Sequence, residues 1–275
     1  MPSSFEILNP NVRRGPFRAV LFDFDGTLSL IREGWPRVMV GMMVEILRNS
    51  HLAGESDEEL WGLVERFVMA LNGHPTVVQM ARFVEEVKLR GGTPDDPREY
   101  SRGYLDRLMR VVRQRWDLLE SGRVGPVEWV VPEAHAILQN LQGRGVPLFL
   151  ASGTDMESIR HEGQLLRVLD AFGEHVYAPD DGDPTFSKGQ VVDTILSTLG
   201  LRGEELLGFG DGVVETTEVK RVGGVMVGVA SAEPGQTGVN PDKRARLTAA
   251  GADLIIPDYA RQHELLGWLW GETTQ

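Results

Sequence analysis

The chain of 275 residues contains no cysteine. That absence excludes disulfides, thiol nucleophiles and thiolate-bound zinc together. Histidine is scarce as well: the six present are scattered without HxH or HExxH spacing, which argues against a histidine-built metal centre. No stretch approaches the roughly 20 apolar residues of a membrane helix. Met1 to Pro16 also lacks the apolar core of a signal peptide, so a cytoplasmic location is expected. Positive charge is the third shortage. With 28 lysines and arginines against 40 aspartates and glutamates, a net charge of -12, the long-range field repels polyanions. Neither nucleic acid nor a membrane surface is an expected partner, and a small anionic ligand would need local positive charge or a metal.

What remains is the composition of an ordinary globular protein, 41% hydrophobic and 25% charged. Its length suits either one large domain or a core with a smaller second domain. The most informative run is Asp23-Phe24-Asp25-Gly26-Thr27-Leu28, which follows the apolar strand Ala19-Val20-Leu21-Phe22. Residues i and i+2 of a strand project the same way. Asp23 and Asp25 are therefore expected to crowd like charges at a buried strand end, which demands a raised pKa or a cation.

After Leu28 the periodicity is helical for about a hundred residues. Trp35, Val38, Met39, Met42, Met43, Ile46 and Leu47 form one apolar stripe, and Pro36 suits a first helical position. Ser56 with Glu59, and Thr76 with Gln79, have capping-box spacing at the starts of two further helices. A fourth is expected over roughly Pro97 to Leu119, so the segment reads as a small helical bundle. From Val131 onward short apolar runs alternate with amphipathic segments, the pattern of an α/β domain with a parallel sheet. Strands are expected at Pro147 to Ala151, His175 to Ala178, Leu206 to Phe209, Val225 to Ala230 and Asp253 to Pro257, with a helix opening at Pro132-Glu133. Ligands of such sheets bind outside the carboxyl ends of the strands, so Asp23, Ser152 and Asp211 are expected to converge on one crevice.

Three further segments carry chemistry. Ser152-Gly153-Thr154 follows a strand, and Thr154 to Glu157 has capping-box spacing; hydroxyls and helix-start amides there suit a phosphate oxygen. Lys188 lies in Ser187-Lys188-Gly189-Gln190, another capping-box spacing, in the first turn of a helix where the dipole disfavours a cation, unless an anion sits beside it. Asp211 and Glu215 fall one turn apart if the helix begins soon after Asp211. With Asp23 they would form the oxygen-rich site that magnesium favours. The glycines at 208, 210 and 212 do not complete GxGxxG, because Val213 stands at the last position, so a dinucleotide fold is discounted.

Taken together, the four segments resemble the haloacid dehalogenase superfamily of phosphotransferases. The similarity is to its phosphatase branch with a helical cap after the first motif, of the phosphoglycolate phosphatase and β-phosphoglucomutase kind. The resemblance covers Ala19 to Leu28 and about Val131 to the end. It implies a Rossmann-like parallel-sheet α/β core, residues 1–28 and 129–275, with an all-helical cap domain inserted at 29–128. It further implies Asp23 as nucleophile, Asp25 as acid/base, Ser152 and Lys188 as phosphoryl-holding groups, and Mg2+ held by Asp23, Asp25, Asp211 and Glu215. Glu215 departs from the family's more usual aspartate. Gly153, Thr154 and Arg32 are candidates for substrate contact, with Glu33 and Trp35 also close to the first motif and His74, Arg90, Arg98 and Arg102 available from the insert.

The expected function is magnesium-dependent hydrolysis of a small phosphorylated metabolite through an aspartyl phosphate. A phosphomutase would use the same core residues, and a non-catalytic phospho-ligand-binding protein would be expected to have lost one of the carboxylates. A haloalkanoate dehalogenase has no use for Asp25 and Asp211.

Overall fold

The computed structural model describes residues 5–49, 54–71, 76–180 and 185–272. Contacts divide the chain into two compact units, one of residues 1–33 with 118–275 and the other of residues 34–117.

The first unit is built on a seven-stranded sheet in the order β1-β7-β6-β5-β2-β3-β4. Its strands are β1 (Glu6–Ile7), β2 (Ala19–Phe22), β3 (Leu148–Ala151), β4 (Val176–Tyr177), β5 (Leu206–Gly210), β6 (Val225–Val229) and β7 (Leu254–Ile256). All pairings are parallel except that of β1, which runs antiparallel to β7 with Glu6 opposite Ile255. β2, β3, β5, β6 and β7 are buried along their whole length, which explains their continuous apolar runs: both faces of a parallel sheet are covered. The strands agree with the expected five to within two residues at either end, while the two-residue β1 carries no periodicity that would announce it.

Strand order positions the site. The chain leaves β2 for β3 and β4 on one side, then returns to β5, which pairs with β2 on the other. β2 and β5 therefore flank the point where the winding reverses, where a crevice opens at the carboxyl ends. The register brings those ends level, with Phe22 opposite both Leu150 and Phe209, and the Phe22 and Phe209 rings stack with centroids 4.7 Å apart.

The second unit holds α1 (Trp35–Asn49), α2 (Asp57–Ala70), α3 (Thr76–Leu89) and most of α4 (Pro97–Glu120). Their buried faces are almost wholly apolar: Met39, Met43 and Leu47 on α1, Leu60, Val64 and Val68 on α2, Met80, Phe83 and Val87 on α3, Tyr104, Leu108 and Val112 on α4. Phe83 meets Tyr100 edge to face at 5.0 Å. On α1, Val40 and Val44 are buried too, so its apolar face is wider than the expected stripe, with Trp35, Val38 and Ile46 half-buried at its margin.

The capping box at Ser56 and Glu59 is present. The other three expected ones are not. Thr76 is already helical, and the Gln79 amide donates to the Val68 carbonyl, a tertiary partner that outcompetes the local one. Asp155, not Thr154, caps the next helix of the first unit, and Ser187 makes no side-chain cap bond.

The remaining helices of the first unit are α5 (Ala134–Gly143), α6 (Met156–Leu165), α7 (Lys188–Leu199), α8 (Val213–Arg221), α9 (Pro241–Ala250) and α10 (Gln262–Leu269). α5 opens one residue beyond Glu133, which takes a left-handed φ of 63°. No helix among the described residues is long and apolar enough to cross a membrane.

Candidate active site

Asp23 is the first residue past β2, and its amide donates to the Phe209 carbonyl, which keeps it in register with β5. Its carboxylate and that of Glu215 on α8 are buried, that of Asp211, which follows β5, is half-buried, and one oxygen from each lies within 4.8 Å of the others. Lys188, the first residue of α7, reaches into this group. Its Nζ donates to Asp23 Oδ1 at 2.5 Å and to Glu215 Oε2 at 2.9 Å. The unfavourable position of a cation at a helix start is thus answered by two carboxylates.

The electrostatics follow from that crowding. Burial pushes Asp23 well above the usual carboxylate range; Lys188 opposes this, and Glu215 and Asp211 add to it. Asp211 is raised for the same reasons, with Lys243 opposing. Burial also acts on Glu215, but the Lys188 charge and the bonds from Lys188 and the Gly212 amide overcome it and hold its carboxyl low. Burial would lower Lys188, yet Asp23 and Glu215 outweigh it and keep it an ammonium.

Asp211 and Glu215 do not stack along one helix face as their spacing suggested. α8 begins only at Val213, so Asp211 lies in the preceding turn, and Glu215 folds back to accept from the Gly212 amide at 2.5 Å. A Cβ at Gly210 or Gly212 would collide with the Glu215 side chain, so both glycines are required by the carboxylate's return.

Asp25 also departs from expectation. β2 ends at Phe22, and the alternation of a strand no longer applies three residues later. Asp25 faces away from the acidic group: Oδ2 accepts from the Thr154 hydroxyl at 2.7 Å, and Oδ1 lies 3.8 Å from Arg32 Nε. Ser152, at the end of β3, is buried, and its Oγ accepts from the Thr154 amide at 3.0 Å. That bond folds Ser152-Gly153-Thr154 into a turn beside Asp25. Gly26 adopts φ 73°, and a Cβ there would run into the Asp211 carboxylate, so glycine at the turn serves close approach as well as conformation.

Two residues at the site carry no motif. Lys243 on α9 is buried, and its Nζ contacts Glu33 Oε1 at 2.6 Å, Ser231 Oγ at 2.9 Å and Asp211 Oδ2 at 3.0 Å. Asp211 and Glu33 push Lys243 up to about 12 against the effect of burial, while burial raises Glu33 to about 7. Glu162 on α6 is buried and accepts from Arg32 Nε at 3.0 Å and Nη2 at 2.8 Å. A signal for both exists in retrospect: Lys243 precedes the buried Leu247 by four residues, and Glu162 follows the buried Ile159 by three, so each is a charge on an apolar stripe.

Of the candidates from the insert, Arg90 pairs with Glu55 and Glu86, and Arg102 with Glu99, all within the helical unit. His74 lies outside the described residues.

A family model for haloacid dehalogenase-like hydrolases matches residues 17–223. The chain belongs to that family. Solved structures share the fold of this haloacid dehalogenase-like hydrolase at low sequence identity. A haloacid dehalogenase family hydrolase from Deinococcus radiodurans, solved with bound phosphate and sodium, superposes with a TM-score of 0.58 at 20% identity, over 94% of this chain and 98% of that one. A predicted phosphoglycolate phosphatase from Haemophilus somnus gives 0.57 at 16% identity, covering 90% and 97%. A β-phosphoglucomutase from Clostridium difficile gives 0.58 at 13%, covering 94% and 98%. No curated protein sequence matches the chain.

The site of this family member fits a divalent metal on its own chemistry. All donors of the Asp23, Asp211 and Glu215 group are hard oxygens. Together with Glu33 they set four carboxylates against the two ammonium groups of Lys188 and Lys243, an excess of two negative charges if all are ionised.

Proposed function

We propose that the protein is a magnesium-dependent phosphomonoester hydrolase acting on a small phosphorylated metabolite through an aspartyl phosphate. The observation that carries this reading is the meeting of Asp23, Asp211, Glu215 and Lys188 at the reversal point of the sheet. A nucleophile, a donor set for a cation and a fixed positive charge are what phosphoryl transfer requires in one place.

In the proposed reaction a carboxylate oxygen of Asp23 attacks phosphorus in line with the leaving oxygen. The P–O bond to the leaving group breaks as the O–P bond to Asp23 forms. Asp25, steadied by Thr154 on the Ser152 side of the site, protonates the leaving oxygen. In the second half Asp25 accepts a proton from water, which attacks the same phosphorus and returns Asp23 to a carboxylate. Lys188 balances charge on the transferring oxygens, while the Ser152 hydroxyl with the Gly153 and Thr154 backbone borders the opposite side. Bound magnesium would supply additional neutralisation of the phosphoryl oxygens and of Asp23. Asp23 and Asp211 are its proposed direct ligands. Glu215, both of whose oxygens are engaged by Lys188 and Gly212, would act through water. Asp25, whose carboxylate is turned toward Thr154, is not among the proposed ligands.

The helical unit is proposed as the cap that governs which phosphate ester is accepted. A mutase would use the same core and pass the phosphoryl group to a second hydroxyl rather than to water.

The test is phosphate release from a panel of phosphomonoesters, with magnesium and with chelator, by the wild type and by Asp23→Asn. Magnesium-dependent turnover that the substitution abolishes is expected. No release from any ester by the folded protein would overturn the hydrolase reading.

A further inference from the structure

Lys188 and Lys243 both enter the acidic group, but they are committed differently. Lys188 Nζ donates to Asp23 and Glu215 and keeps its third N–H for a phosphoryl oxygen. Lys243 Nζ has an acceptor for each of its three: Glu33 Oε1 at 2.6 Å, Ser231 Oγ at 2.9 Å and Asp211 Oδ2 at 3.0 Å. A buried ammonium so saturated has nothing left to offer a substrate. Nor is it a cheap source of stability, since desolvation offsets the attraction of its partners.

What its position secures is Asp211. Ser231, two residues past β6, donates its own hydroxyl to the Gly26 carbonyl at 2.6 Å. Lys243 thereby ties α9 to the turn after β2, the turn after β5 and the end of β6. Among the described residues no other cation forms an ion pair with the Asp211 carboxylate. A divalent ion held by Asp23, Asp211 and Glu215 would therefore share Asp211 with a fixed positive charge, and the two repel.

We propose that Lys243 is the resident counter-ion of the metal centre: it holds Asp211 and the turn after β2 together in the metal-free protein, and it limits how tightly a divalent ion binds by sharing Asp211 with it. The inference rests on Asp211 being a metal ligand. Two quantities then move in opposite directions when the ammonium is removed. The metal-free protein loses stability, because Asp211 and Glu33 are left without the cation between them. The divalent ion gains affinity, because one positive charge fewer stands beside its ligand. A lysine that merely oriented Asp211 would lower both, since a misplaced ligand binds metal less well.

The experiment follows binding of Mn2+, a paramagnetic stand-in for Mg2+, by electron paramagnetic resonance, together with thermal unfolding. It uses chelator-stripped wild type, Lys243→Met and Ser231→Ala, without substrate. Lys243→Met, of similar length but uncharged, is expected to lower the Mn2+ dissociation constant by about tenfold or more, the scale of removing a unit charge at close range in a partly screened site. Its metal-free melting temperature is expected to fall below that of the wild type, and saturating Mn2+ to recover most of the difference. Ser231→Ala cuts an uncharged tether and keeps the ammonium, so its dissociation constant is expected within about threefold of wild type. If Lys243→Met does not fold without metal, Lys243→Gln, which keeps an N–H for Asp211 and drops the charge, is read in its place.

A dissociation constant that rises or stays unchanged when the charge is removed, or a metal-free melting temperature equal to that of the wild type, would overturn the inference and leave the phosphatase reading intact. A wild type that binds no Mn2+ would remove the inference together with the magnesium requirement, which the ester panel with chelator tests independently.

Discussion

The two units spend their buried residues differently. In the helical unit the described interior is apolar apart from Gln79 and Glu86. In the α/β unit, Asp23, Thr27, Glu33, Ser152, Glu162, Glu215, Ser231 and Lys243 are all buried, and each belongs to the carboxyl-edge crevice or its supports. One unit is held by packing that any well-filled core provides. The other carries, in one corner, a concentration of charge that packing alone would reject. The contrast separates stability from chemistry: damage to the first interior should read out as unfolding, and damage to the second as lost turnover.

The sharpest way to break that contrast is Phe83→Ala. The ring is fully buried against Tyr100, and truncation should lower unfolding free energy by about 3–5 kcal/mol. Urea denaturation with amide exchange followed in residues 76–117 checks it, and a loss under about 1 kcal/mol would mean that this interior is not the packed core described.

Lys188→Ala comes next. It leaves Asp23 and Glu215 facing each other without their shared ammonium, and kcat for the best ester of the panel should fall by about 10²–10³. Near-native turnover would show that another cation does its work.

The smallest effect concerns pH in the metal-free protein. Glu33 titrates at about 7 when folded, against 4.5 ordinarily, because burial favours its neutral form. A raised carboxyl binds its proton more tightly in the folded state, so its contribution is fully present below about pH 4.5 and is lost as pH rises through 7. Glu33→Gln should therefore flatten the decline in stability between those limits. Denaturation midpoints at pH 5 and 7.5 that change in parallel for variant and wild type would contradict it.

Much of this architecture was legible because its signals are local. Continuous apolar runs such as Leu206 to Phe209 mark strands buried on both sides, and Ser56 with Glu59 closes a cap within one turn. Asp23, Lys188, Asp211 and Glu215 stand at strand ends and helix starts, where polar residues after apolar runs are conspicuous. What stayed hidden depends on partners far along the chain. Gln79 left its expected cap for a carbonyl on α2, Arg32 is set by Glu162 across 130 positions, and Lys243 reaches Glu33 across 210. Asp25 escaped because the alternation of side chains ends where the strand does, at Phe22, and does not carry into the turn that holds both aspartates.

The reversal of strand order between β2 and β5 has a consequence for how the protein comes into being. Residues 23, 152, 188 and 211 meet only when β5 has docked against β2, a pairing that joins positions nearly 190 apart. Such non-local pairings are the slow part of folding, since the entropy of closing the loop must be lost before any contact rewards it. The helical unit, by contrast, is made of neighbours in sequence. A nascent chain therefore passes through a period in which its helices are in place and its carboxylates are still apart, dispersed and hydrated. The mutual repulsion that characterises the finished crevice arises only once β5 has docked, and Lys188, which precedes β5 in the chain, is at hand by then to answer it.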